Sequence, residues 1–299
     1  MQILSVKGLC KSFGDKQVLK GLDLSIPENS IYGFVGRNGA GKTTTMKILL
    51  GLLRCDAGEV RICGEEVVYG DSHTNRFVGY LPDVPEFYPF LTSREYLLLC
   101  GECMNLPKAE IKDRGDALLS LVGLAKETAR IGSFSRGMKQ RLGIAQALLS
   151  RPRLLICDEP SSALDPIGRR EILDLLLSLK EQTTVLFSTH LLSDVERICT
   201  DVAFLHDGKI ALSGAVDDLR RRYGTEEFTV EMADDSGYRA VLEIYPEARQ
   251  IDGMKLVFSG DEARAYEVLD GVRATGHHFR SLTRSDASLE SLFMEVVRG

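Results

Sequence analysis

The chain has 299 residues, 44% hydrophobic and 27% charged, an ordinary globular mix with room for one large domain and a smaller one. Acidic residues exceed basic ones by 43 to 37, a formal net charge of −6, which excludes a general nucleic-acid binder because neutralising phosphates needs the opposite balance. Seven irregularly spaced cysteines exclude a secreted disulfide framework and point to a reducing cytosol.

Residues 3–9, 17–26 and 31–36 read as strands, the last a short apolar run. A helix follows Gly41, with Met46, Leu49, Leu50 and Leu53 spaced for one buried face. Asp56-Ala57-Gly58 breaks it, and residues 59–63 read as another strand. Residues 93–130 are mostly helical by periodicity, interrupted at Pro107. Cys100 and Cys103 fall in that stretch at C-x-x-C spacing. With no second pair nearby, they read as two small apolar residues on a helix face rather than a metal or redox pair.

A further helix runs over residues 135–149 and stops before Pro152. Residues 154–157 form a buried strand, 168–180 a helix and 183–188 a strand. This alternation predicts an α/β fold with parallel strands at its centre. The sequence changes character after Arg222-Tyr223-Gly224, so the expected domains cover residues 1–222 and 223–299. In the second, strands at 226–232, 247–251, 254–259 and 277–283 are interleaved with helices at 237–244 and 261–274. A last helix is expected over 288–297. The order βαββαβ is that of a small ferredoxin-like α+β unit. The run Arg220-Arg221-Arg222 reads as a solvated face. No signal peptide and no apolar stretch long enough to span a membrane is expected, so any work at a membrane requires a partner.

Gly36-Arg37-Asn38-Gly39-Ala40-Gly41-Lys42-Thr43 fits the pattern G-x-x-x-x-G-K-[ST], entered by an apolar strand and left by an amphipathic helix. Glycines at these points let backbone N–H groups curl around a phosphate with no Cβ in the way. The helix that follows aims its positive end at the same anion. Lys42 can reach the β- and γ-phosphates of a nucleotide, and the Thr43 hydroxyl is placed to hold Mg²⁺. A strand over residues 154–157 ends in Asp158-Glu159. Carboxylates at a buried strand end are costly without a cation nearby. A nucleotide-bound Mg²⁺ would satisfy Asp158 and leave Glu159 to polarise an attacking water; the plainer reading is a polar turn before Pro160. Ser135 is a good helix N-cap, and Gly137 leaves its backbone N–H open to a ligand.

The set of motifs, in this order, resembles the ABC transporter ATPase family over residues 1 to about 222. Residues 36–44, including Thr44, resemble the Walker A motif, and residues 134–138 the family signature. Residues 154–158 followed by Glu159 resemble Walker B and its catalytic base. Ser161-Ser162-Ala163-Leu164-Asp165 resembles the D-loop, His190 the switch histidine, and Phe13 the aromatic that stacks on adenine. Taken alone, His190 reads equally as a satisfied polar residue and Phe13 as a core or rim aromatic.

The resemblance implies a P-loop ATPase core with an N-terminal antiparallel β-subdomain and a helical subdomain over about residues 88–150. It further implies ATP and Mg²⁺ as ligands and two ATPase domains meeting head to tail. The Gly36, Asn38, Gly39, Ala40, Gly41, Lys42, Thr43 and Thr44 loop of one subunit would face Ser135 and Gly137 of the other. The partner is a second copy or a close paralogue; a separate integral membrane permease is also expected, with this chain bound peripherally on the cytoplasmic face of the membrane.

Two departures from the family pattern stand out. Arg136 replaces the first signature glycine and Met138 the glutamine, a form similar to that of exporters with an ABC-2 type permease. Asp83, in Gly79-Tyr80-Leu81-Pro82-Asp83, stands where the Q-loop has Gln or Glu, so its metal contact is one methylene shorter. Residues 288–293 resemble the ending of that exporter branch. The alternative is a soluble ABC ATPase with a non-transport role, regulatory or acting on translation or DNA, but the paired cassettes of the translation factors and the long coiled coil of the DNA-acting members are missing from this sequence.

Overall fold

A computed structural model describes residues 2–162, 164–223, 227–251, 253–285 and 289. The predicted helix at 288–297 lies outside these residues apart from Leu289, and so does Ala163 of the D-loop-like segment. The chain divides into two compact units, Met1–Val216 and Asp217–Gly299.

Alternating apolar residues make the first two strands a half-buried ribbon. β1 (Gln2–Phe13) and β2 (Lys16–Pro27) pair antiparallel and run longer than their alternation predicts, since pairing extends into the polar ends. β3 (Ile31–Gly36) is buried throughout and leads into α1 (Lys42–Leu49). β4 (Ala57–Ile62) and β5 (Glu65–Glu66) complete an antiparallel sheet of order β2-β1-β4-β5.

The helical part follows β6 (Val78–Leu81), a strand with no counterpart in the sequence reading. It begins with α2 (Ser93–Cys103), closed at its start by a reciprocal capping box between Thr92 and Glu95. α3 (Lys108–Leu121) ends well before residue 130, where Gly123 takes left-handed backbone at φ 71°. α4 (Arg136–Ala147) starts at Ser135, whose Oγ accepts the Met138 N–H at 3.2 Å. A Cβ at Gly79 would lie 2.2 Å from the Ala147 carbonyl oxygen, so β6 and the end of α4 touch backbone to backbone.

The rest of the unit is β7 (Leu154–Cys157), α5 (Pro166–Ser178), β8 (Thr184–Thr189), α6 (Leu192–Ile198), β9 (Asp201–His206) and β10 (Lys209–Ala215). The second sheet has the order β10-β9-β3-β8-β7-β6. Its strands are parallel except for β10, which runs antiparallel to β9. Successive side chains leave opposite faces. Leu154, Ile156, Leu186 and Phe34 therefore join a core shared with β1 and β2. Leu155, Cys157, Val185 and Phe187 join a core shared with the helices.

α7 (Val216–Tyr223) begins at the boundary between the units and carries Arg220-Arg221-Arg222 in its last turn. β11 (Glu227–Met232), α8 (Asp235–Ile244), β12 (Arg249–Ile251), β13 (Lys255–Ser259), α9 (Glu262–Ala274) and β14 (Phe279–Ser285) follow. The four strands pair antiparallel in the order β12-β13-β11-β14, the ferredoxin-like arrangement. Phe228, Val230, Met232, Leu256 and Phe258 pack against Val241, Val268 and Val272 of the helices.

Candidate active site

The parallel sheet brings several motif segments to one edge. Gly36 closes β3, Asp158 and Glu159 follow β7, His190 follows β8, and Asp83 lies just after β6. Val35 pairs with Thr189, Leu81 with Cys157, and Cys157 with Phe187, so these strand ends finish at a common level. Ligands of open α/β sheets bind in the crevice beyond such carboxyl ends.

A cavity of about 640 Å³ opens there. It is lined by Phe13, Lys16, Val18, Asn38, Gly39, Gly41, Lys42, Thr43, Thr44, Asp83, Glu159, Ser162 and His190. Gly41 caps α1 at φ 114°, a backbone that disfavours any side chain. The turn delivers Lys42 into the loop: its Nζ donates to the Gly36 carbonyl at 2.7 Å. The same nitrogen lies 3.1 Å from Glu159 Oε1, with the side chains only 6% and 15% exposed. The other carboxylate oxygen of Glu159 is 2.9 Å from His190 Nδ1. Glu159 therefore joins the phosphate-loop lysine to the imidazole.

Beneath this trio the Ser188 hydroxyl donates to Asp158 Oδ1 at 2.6 Å and accepts the Glu159 N–H at 2.9 Å. Glu159 itself holds φ 49°, a left-handed backbone that a non-glycine residue adopts only under constraint. Burial, reinforced by Asp158, pushes the Tyr80 phenol up to about 12, so it stays neutral beside the carboxylates. A carboxylate poised between an ammonium and an imidazole, facing a cavity floored by a glycine-rich loop, can orient water against a phosphate.

Comparison with known proteins identifies the machine. Residues 19–162 match the family model described as ABC transporter. The bacitracin transport ATP-binding protein BcrA of Bacillus licheniformis is 35% identical, over 99% of this chain and 98% of that protein. The chain belongs to the ABC transporter ATP-binding family. The linearmycin resistance ATP-binding protein LnrL of Bacillus subtilis (strain 168) is 30% identical over 98% of each chain. A solved ATP-binding subunit of an ABC transporter is 33% identical, covers 74% of this chain and 93% of its own, and superposes with a TM-score of 0.66. The protein is thus an ABC ATPase, an ATP-binding and ATP-hydrolysing transporter subunit.

Not every residue singled out in the sequence meets at the cavity of this ABC ATPase. Gly36, Ala40 and Asp158 are not among its lining residues. Gly36 is in close contact with β9, since a Cβ there would lie 2.9 Å from the Leu205 carbonyl oxygen. Ser135 and Gly137 line no part of it. Ser135 caps α4, and a Cβ at Gly137 would meet only Leu164, at 3.9 Å. Phe13 is half exposed at the mouth, at the turn between β1 and β2. Asp83 faces the cavity with its carboxylate engaged: Ser162 Oγ donates to it at 2.6 Å, and Arg136 reaches it at 3.3 Å.

Lys16 and Val18 of β2 are lining residues that sequence reasoning missed. Their signal was the hairpin itself, which returns the chain past Phe13. The roles of Ser188 and Tyr80 had no sequence signal, because they depend on β8 and β6 both flanking β7. Thr43, Asp83 and Asp158 are hard oxygen donors, the type that Mg²⁺ takes. Among the described residues no group of three or more His, Cys, Asp or Glu is arranged to hold a metal ion unaided.

Proposed function

We propose that this ABC ATPase powers an exporter whose membrane-spanning permease is a separate chain, working on the cytoplasmic face of the membrane as a head-to-tail pair of subunits. The observation that carries the reading is the contact of Glu159 with both Lys42 and His190 at the phosphate cavity, while Ser135 and Gly137 stand outside it. One cavity thus has the lysine loop and the acid–imidazole pair but not the signature. In the proposed pair, Ser135 Oγ and Gly137 N–H of each subunit close over the γ-phosphate held by the other.

Within that clamp Phe13 stacks on adenine, and Lys42 binds the β- and γ-phosphates. Thr43 and Asp158, with Asp83 nearby, would hold Mg²⁺, which spreads the developing phosphate charge. Glu159 accepts a proton as water oxygen bonds the γ-phosphorus and the bond to the bridging oxygen breaks, releasing ADP. His190 orients Glu159 and the γ-phosphate. The groups mostly position and stabilise charge, so few of them carry most of the rate.

Among the described residues no helix is long and apolar enough to cross a membrane. The exporter reading is supported by full-length likeness to ATP-binding proteins named for bacitracin transport and linearmycin resistance. The altered signature, with Arg136 and Met138, points the same way. In this scheme residues 1–222 form the ATPase domain, and residues 223–299 are an accessory domain for dimer contact or regulation. Deleting residues 224–299 without change in dimerisation or transport would remove that accessory role. The central test is Glu159→Gln with ATP, followed by light scattering. A stable dimer is expected; a variant that stays monomeric at saturating ATP counts against the clamp.

A further inference from the structure

Outside the cavity lining lies an ionic cluster centred on a buried carboxylate, with Arg169 partly exposed and Ser193 at the surface. Asp194, in the first turn of α6, is 1% exposed. Its Oδ2 accepts the Ser161 hydroxyl at 2.7 Å, and its Oδ1 accepts Arg169 Nε at 2.6 Å. The second guanidinium arm of Arg169 lies 2.5 Å from the same Asp194 oxygen and donates to Ser193 Oγ at 2.7 Å. None of these four residues lines the cavity.

The cluster's place in the chain gives it meaning. Ser161 follows Glu159 in the turn after β7, where the Ser162 N–H closes back on the Glu159 carbonyl at 3.0 Å. Asp194 follows His190 in the turn after β8, and its N–H bonds the Leu191 carbonyl at 3.1 Å. The Asp194–Ser161 bond therefore ties the two turns that present Glu159 and His190, outside the cavity lining. Arg169 adds α5 as a third anchor.

An ion pair whose carboxylate is buried and whose guanidinium is partly exposed is a weak device for stability, because desolvating the carboxylate offsets much of its Coulombic gain. What such a pair supplies is a fixed geometry. Glu159 needs one: its φ of 49° persists only if the surroundings over-determine it. Ser188 constrains the backbone of Glu159 from one side. Asp194 constrains the following turn from the other.

We propose that Asp194, acting through Ser161, is a positioning residue for ATP hydrolysis that keeps Glu159 in register with His190. This rests on the roles given above to Glu159 and His190. The test compares Ser161→Ala, Ser161→Thr, Asp194→Asn and Glu159→Gln in the full-length chain. The readouts are steady-state ATP turnover, fluorescent-nucleotide affinity and thermal unfolding. Ser161→Ala is expected to lower kcat by about tenfold and Asp194→Asn by about 10- to 100-fold, the scale of a small misplacement at a reacting centre. Nucleotide affinity should stay within about twofold in both, because the cavity lining is untouched. Ser161→Thr, which keeps the hydroxyl, should recover most of the rate. The double variant Ser161→Ala/Asp194→Asn should be no slower than Asp194→Asn alone, since both break one chain of contacts.

Wild-type kcat in Ser161→Ala while Glu159→Gln is inactive would overturn the positioning role and leave the site reading standing. Loss of nucleotide affinity in step with kcat would also overturn it. So would rate losses that multiply in the double variant. Turnover retained by Glu159→Gln would overturn both the site reading and this inference. If Asp194→Asn does not fold, the Ser161→Ala and Ser161→Thr pair decides the matter alone.

Discussion

Ser188→Ala is the perturbation that separates the acidic strand end from the rest of the site. One hydroxyl serves two groups, donating to Asp158 at 2.6 Å and accepting the Glu159 N–H at 2.9 Å. Asp158 is 2% exposed and Ser188 fully buried, so bulk water does not readily replace the lost bonds. Losing a hydrogen bond to a charged acceptor costs about 1.5–3 kcal/mol, and leaving a buried amide unpaired about 1–3 kcal/mol. The two losses share one atom and relax together, so a net cost of about 3 kcal/mol is expected. At about 2–4 °C per kcal/mol for a unit of this size, the midpoint of thermal unfolding falls by about 6–12 °C. The turn at Glu159 also loses its backbone anchor, so turnover drops even well below the new midpoint. Circular dichroism melts and ATPase rates on the same preparation check both effects. A midpoint within about 2 °C of wild type, with full turnover, would refute the claim that this hydroxyl holds the carboxylate pair.

Lys42→Ala removes the ammonium that reaches Gly36 and Glu159 and should lower ATP turnover by at least about a hundredfold, read by phosphate release and nucleotide binding; turnover within about twofold of wild type would contradict its role. Thiol alkylation at pH 8 should modify exposed Cys103 well before Cys157 and Cys199. Burial pushes the latter two thiols far up, which deprives them of thiolate below their raised pKa. Peptide mass spectrometry of the native protein reads the order, and early labelling of Cys157 would contradict the burial of β7.

The phosphate loop, the Asp158-Glu159 strand end and the cap at Ser135 are legible in the chain because each is a run of contiguous residues with its own local chemistry. The ferredoxin-like order of the second unit is legible for the same kind of reason: period-two apolar runs alternate with helical ones between turn residues. β6, β9 and β10 are harder to see. β6 is only four residues long, and β9 and β10 are short strands that sheet pairing defines more than sequence pattern does. The helix ending at Leu121 instead of residue 130 shows a single glycine outweighing periodicity.

The sequence by itself determined which groups are available to nucleotide: a lysine after glycines, two carboxylates after an apolar strand, a histidine after another. Only the tertiary structure decided that Lys42, Glu159 and His190 touch, that Ser188 supports the carboxylates from below, and that Asp194 ties the turns behind them. Those contacts follow from β3, β8 and β7 lying side by side in that order. Strand order is set by the burial of whole faces across the sheet, and no local stretch of residues encodes it.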